Sequence, residues 1–100
     1  MKYVISWTAR PDQGIEEAEK ALKVFTKWAP DPSVTFHQFV QRVDGVGGYA
    51  VVETDNGGAL LHDAMTFGTW FDFKVEPVIE MLEAAPIQTA VAEHVLSLIR

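Results

Sequence analysis

The sequence predicts an α+β domain built from two βαβ halves that share one sheet. Three observations carry this prediction. Four strand-like runs alternate with two helical stretches in the order β-α-β-β-α-β, a Gly-rich loop joins the two central strands, and an apolar helical segment follows the last strand. Two βαβ halves joined by a hairpin make the split, ferredoxin-like βαββαβ sandwich, here with an extra C-terminal helix. Right-handed crossovers then put both long helices on one face of a four-stranded antiparallel sheet.

Lys2 to Thr8 reads as the first strand, with Tyr3, Ile5 and Trp7 on one face and Val4 and Ser6 on the other. Pro11-Asp12 opens a helix with Asp12 as its predicted N-cap, and Glu16 and Glu17 suit the positive end of its dipole. Ile15, Ala18, Leu22, Phe25 and Ala29 recur at three- and four-residue spacing and form its apolar stripe, which Pro30 and Pro32 end. Val34 to Val43 and Tyr49 to Thr54 flank the loop Asp44-Gly45-Val46-Gly47-Gly48 as a hairpin. Asp55 or Asn56 caps a second helix from about Gly58 to Phe67, with Gly68 as its stop. Phe71 to Ile79 alternates as a half-buried strand, and Pro77 places it at an edge or a bend because proline cannot donate to a ladder. Pro86 is predicted to begin the last helix, on which Ile87, Val91, Val95 and Leu98 align. The expected organisation is one domain, with a core over residues 1–83 and a C-terminal helix over 86–99.

Composition narrows the functional classes. One hundred residues are the size of one domain, and 48% hydrophobic with 11% aromatic residues excludes disorder. A net charge of −6 with eight dispersed Lys and Arg residues gives no basic face for nucleic acid or for an anionic membrane. The chain has no cysteine, hence no disulfide or thiolate chemistry. Without a signal-peptide pattern or a run of about 20 apolar residues, the expected location is cytoplasmic.

The strand pattern also predicts a dimer. A sheet covered by helices on one side ordinarily turns polar residues outward, yet Phe36 and Val40 oppose Phe39 and Val43 in the second strand, and Tyr49 and Val51 oppose Ala50 and Val52 in the third. A sheet apolar on both faces would leave an oversized exposed patch unless a second copy, in a C2 pair, or the terminal helix covered it.

The segment Trp70-Phe71-Asp72-Phe73-Lys74-Val75-Glu76-Pro77-Val78-Ile79, preceded by Val52-Glu53-Thr54-Asp55, resembles a bacterial family of unknown function. Its members are short chains opening on an M-x-x-x-x-x-[WY]-T strand and ending on a D-F-x-V-x-P-V strand. The resemblance covers roughly residues 1 to 83, and the helix after Pro86 departs from it. That family is similar in fold to the dimeric α+β barrel superfamily, which includes cofactor-free monooxygenases, muconolactone isomerase-like enzymes, haem-degrading enzymes and ligand-sensing domains. The resemblance implies the fold and the dimer and carries no single activity.

His37 is the first candidate for chemistry. Strict alternation puts it with Thr35, Phe39 and Gln41, where its imidazole would serve as general base or ligand contact, the ordinary alternative being a solvent-facing strand histidine. Glu53 and Asp72, at strand ends, would orient it, or simply terminate their strands. Trp7 and Trp70 supply the walls of an aromatic pocket, and Trp28 reads as core or interface. His62 and His94 lie on separate elements without metal-ligand spacing, so neither a metal nor a cofactor is expected. The Gly-rich hairpin loop precedes no helix and is no phosphate cradle, Asp55-Asn56-Gly57-Gly58 lacks a P-loop lysine, and Glu16, Glu17 and Glu19 form a solvated helix face.

The expected function is a small dimeric protein binding an apolar small molecule between sheet and helices. The alternatives are a cofactor-independent oxygenase or isomerase acting on a small aromatic or polyketide-like substrate, and an interaction module that docks through its C-terminal helix.

Overall fold

The computed structural model describes residues 1–100 as β1 (Lys2–Ala9), α1 (Ile15–Lys27), β2 (Thr35–Gln41), β3 (Gly47–Glu53), α2 (Gly57–Phe67), β4 (Phe71–Val78) and α3 (Met81–Ile99). The strands form one sheet in the order β2-β3-β1-β4, and every neighbouring pair is antiparallel. This is an α+β fold compatible with the ferredoxin-like sandwich. Pro77 stands opposite Tyr3 on the edge strand β4, where its missing N–H costs no ladder bond on the open side.

Register decides which side chains meet the helices. Ile5 pairs with Ala50 and Val75, and Trp7 with Gly48 and Phe73, so these residues share the inner face. The packed core consists of Val34, Ala50, Val52, Ala59 and Leu60, with Tyr3, Ile5, Trp7 and Phe36 against it. A polar hub ties the start of α2 to the start of β2. Buried Thr54 donates its hydroxyl to the Ser33 carbonyl (2.9 Å) and accepts from the Asn56 N–H (2.9 Å), while Asn56 caps α2 by accepting from the Ala59 N–H (3.3 Å).

Four local expectations need correction. Asp12 does not cap α1. It sits in a turn at φ 66°, a left-handed conformation that Asp tolerates, and the helix starts after Gly14 without a side-chain cap. Ile15, the first residue of the predicted stripe, consequently faces solvent, and Ala29 lies beyond the helix end. A bulge at His37 breaks the alternation of β2, so that Phe36 and Phe39 both turn inward, with ring centroids 5.4 Å apart. Finally, Pro86 lies inside α3, which begins five residues earlier. In the second turn a proline forfeits one intrahelical bond, to the Leu82 carbonyl, and the helix continues through it.

The outer face of the sheet is less apolar than the sequence suggested. Val4, Val40, Tyr49 and Val51 form a central patch there, but Lys2, Ser6, Thr8, Gln38, Glu53, Asp72, Lys74 and Glu76 share the face with them. The terminal helix does not cover this patch. No residue of α3 is buried, and the molecule measures 62 × 31 × 22 Å with a radius of gyration of 18.1 Å, against about 13 Å for a compact chain of this length. No helix is long and apolar enough to cross a membrane.

Candidate functional site

The sandwich closes tightly at one end and gapes at the other. Around Val52 and Leu60 the layers meet, but toward Ala9, Gln41 and Phe71 a cleft of about 580 Å³ opens between the inner sheet face and α1 and α2. Of its 23 lining residues 19 are hydrophobic, which sets its chemistry as apolar. Ala18, Ala21, Leu22 and Phe25 line it from α1, Leu60, Ala64 and Phe67 from α2, and Ile5, Trp7, Phe39, Phe71 and Phe73 from the sheet.

Small residues beside large rings create this space. Ala50 and Gly48 stand where β3 runs beneath the cleft, and the Trp7 indole lies across Gly48. A Cβ at Gly48 would come 3.0 Å from Trp7 Cε2 and closer still to Cζ2, so glycine is what lets this ring lie flat. Trp7 meets Phe39 edge-on at 5.5 Å, and Trp28 sits among Phe25, Phe36, Phe39 and Phe67 at 5.8–6.2 Å. Such pairs contribute about 0.5–1.5 kcal/mol each beyond their burial and hold the rings in place.

Two indoles in the lining are also fixed through their N–H groups. Trp28 Nε1 donates to Asp63 Oδ1 (3.0 Å), and Trp70 Nε1 donates to Glu17 Oε2 (2.9 Å). Glu17 is therefore more than part of a solvated acidic face. The Lys20 ammonium, and after it the Trp70 indole, hold its carboxyl below the usual glutamate range. Because the folded state lowers this pKa, the stabilisation is present above the ordinary value of 4.5 and disappears as the pH falls through the depressed one. Glu17→Gln is accordingly expected to reduce stability at pH 7, and the deficit to shrink as the pH is lowered below the ordinary value of 4.5, read from urea unfolding across a pH series. Three further polar side chains, Gln13, Gln41 and Asp63, line the cleft, and Asp63 is the one acidic group among its lining residues.

The predicted site residues fall in three places. Trp7 and Trp70 line the cleft. His37, displaced by the bulge, bonds Glu53 through Nε2 (3.0 Å) outside the cleft, both side chains about half exposed. Asp72 lies on the opposite edge strand, opposite Thr8 and 67% exposed, where it pairs with Arg10 at 3.5 Å. His37 and Glu53 are thus brought together, but Asp72 is separated from them by the width of the sheet. The acid–base reading needs His37, with Glu53 or Asp72 to orient it, at the cavity walled by Trp7 and Trp70; His37 and Glu53 do pair, but outside that cleft. His62 stands beside Asp63 at 3.7 Å, on the strongly exposed side of α2.

Sequence reasoning missed Phe25, Phe39, Phe67 and Asp63 as lining residues. The first three belong to the same periodic stripes that mark a core, and nothing in periodicity separates a filled core from a hollow one. Asp63 carried a signal in principle, as an acidic residue one position from the apolar side of α2.

The profile of a domain of unknown function, DUF3303, matches residues 1–92. The chain belongs to the DUF3303 family. The match runs past residue 83 into α3, so most of the terminal helix lies within the DUF3303 domain and is not an addition to it. No curated protein matches the chain.

Proposed function

We propose that this DUF3303 protein binds a small aromatic or otherwise apolar molecule in the cleft between sheet and helices, and that it does so as a homodimer. The cleft carries the first part of this reading. It has the volume of a small-ligand site, an almost wholly apolar lining, and aromatic walls whose orientation is fixed by Trp28–Asp63 and Trp70–Glu17. A single carboxylate among the polar lining residues favours neutral or cationic ligands over aromatic acids. The open patch of Val4, Val40, Tyr49 and Val51 supports the second part. The fold resemblance to dimeric α+β barrel proteins agrees with both.

Titration with 2-naphthol, followed by tryptophan fluorescence, tests the binding. Saturable quenching is expected, with a melting temperature raised by about 5–10 °C at a ligand concentration roughly ten times Kd. Ala64→Trp, which fills the cleft from α2, is expected to abolish the quenching while the far-UV CD spectrum is retained. A series of neutral, cationic and anionic naphthalenes that produces no saturable change removes the ligand-binding reading.

A further inference from the structure

Helix α3 has no packing partner in its own chain. None of its 19 residues is buried, and Leu82 stays 88% exposed. Its sequence is poorly suited to stand alone. It contains Pro86 and the β-branched Ile87, Thr89, Val91, Val95 and Ile99, lacks a side-chain N-cap bond, and has no lysine to pair with Glu83 or Glu93. A helix of this kind is held by tertiary packing and not by propensity. Its exit is also directed. Only Ile79 and Glu80 separate it from β4, and Lys2 bonds Glu80, whose carboxyl the ammonium holds below the usual range.

We propose that α3 is an exchanged arm: in the dimer it lies across the outer sheet face of a second copy, whose own arm returns across the first. This deepens the dimer reading and rests on it. The arm offers Ile87, Val91, Val95 and Leu98 along one side, and the sheet offers Val4, Val40, Tyr49 and Val51. At roughly 60–120 Å² for each such side chain when fully buried, two reciprocal contacts cover about 1,000 Å² or more. That reaches the size at which specific dimers begin, whereas an arm laid one way on an unrelated surface reaches half of it. Reciprocity selects a second copy of this chain. A membrane surface fits less well, because the polar side of α3 carries Glu83 and Glu93 and no cation before the terminal Arg100.

The test uses the full chain in light scattering and hydrogen exchange. Wild type is expected at twice the 11.1 kDa chain mass, with amides of residues 81–99 protected. Val91→Glu/Val95→Glu on the exposed arm and Val51→Glu on the outer sheet face are each expected to give the 11.1 kDa species with α3 exchanging freely, while near-UV CD of the body is unchanged. Should Val51→Glu prevent folding, Tyr49→Lys on the same patch takes its place. A dimer lost through the sheet variant but kept in the arm variant means sheet-on-sheet pairing, which refutes the arm and leaves the dimer. The reverse pattern means pairing of α3 with α3 and likewise refutes it. A monomeric wild type overturns the arm and the dimer together.

Discussion

Gly47→Ala is expected to cost the domain at least ~3 kcal/mol, at the upper end of what overpacking does. A Cβ there would penetrate the Trp7 carbonyl oxygen and lie 2.9 Å from its carbon and 3.1 Å from the Thr8 Cα. All three are backbone atoms of the strand paired with β3, so relief requires parting β1 from β3 at the hairpin end of their ladder, between the two central strands. With ten of 100 residues buried, the core has little reserve to absorb that. Urea unfolding at fixed protein concentration measures the loss, since any dimer makes stability depend on concentration. Gly57→Ala is the control. Nothing lies within 4 Å of its added methyl at the start of α2, so a change within about 1 kcal/mol, of stabilising sign, is expected. Equal losses at the two positions would show that the β1–β3 approach is not what demands glycine.

Trp28→Ala is expected to have the second largest effect, a loss of about 3 kcal/mol, the low end for truncating a core tryptophan because this ring is only partly buried. Trp28 follows the last turn of α1, yet it packs against Phe25, Phe36, Phe39 and Phe67 and so joins both helices to β2. Trp28→Phe separates packing from hydrogen bonding. It retains most of the ring contacts and leaves Asp63 without its indole donor, for an expected cost of about 1 kcal/mol. Both variants are read by the same unfolding experiment. Trp28→Ala should also widen the cleft, and on the proposed ligand-binding reading the naphthalene titration would then register a shift toward larger molecules.

Much of the architecture was legible in the sequence because it depends on local periodicity. The 3.6-residue stripes of α1 and α2, the two-residue alternation of β1 and β4, and the turn at Asp44-Gly45 each follow from neighbouring residues. In that turn Gly45 takes φ 75° and Asp44 accepts the Val46 N–H. Trp7 and Trp70 were visible as wall residues for the same reason, as large rings at inward-facing or strand-leading positions.

What failed was every inference that extended a local rule through an irregularity. One extra residue at His37 reverses the faces of Phe39 and Gln41, and with that shift the histidine leaves the aromatic cleft for Glu53. Proline ordinarily marks a helix start, but here it sits in a second turn whose neighbours outweigh one missing bond.

The sequence by itself determined the order of elements and the apolar character of the inner face, because side-chain spacing fixes these residue by residue. It left β4 at an edge or a bend until the strand order placed it at the edge. Only the tertiary structure decided that the inner face is partly hollow and that α3 leaves the body. A cleft is the difference between the volume that layers enclose and the volume that side chains fill, and the direction of a helix is set by the two residues that join it to its strand. Neither quantity is written in any local pattern.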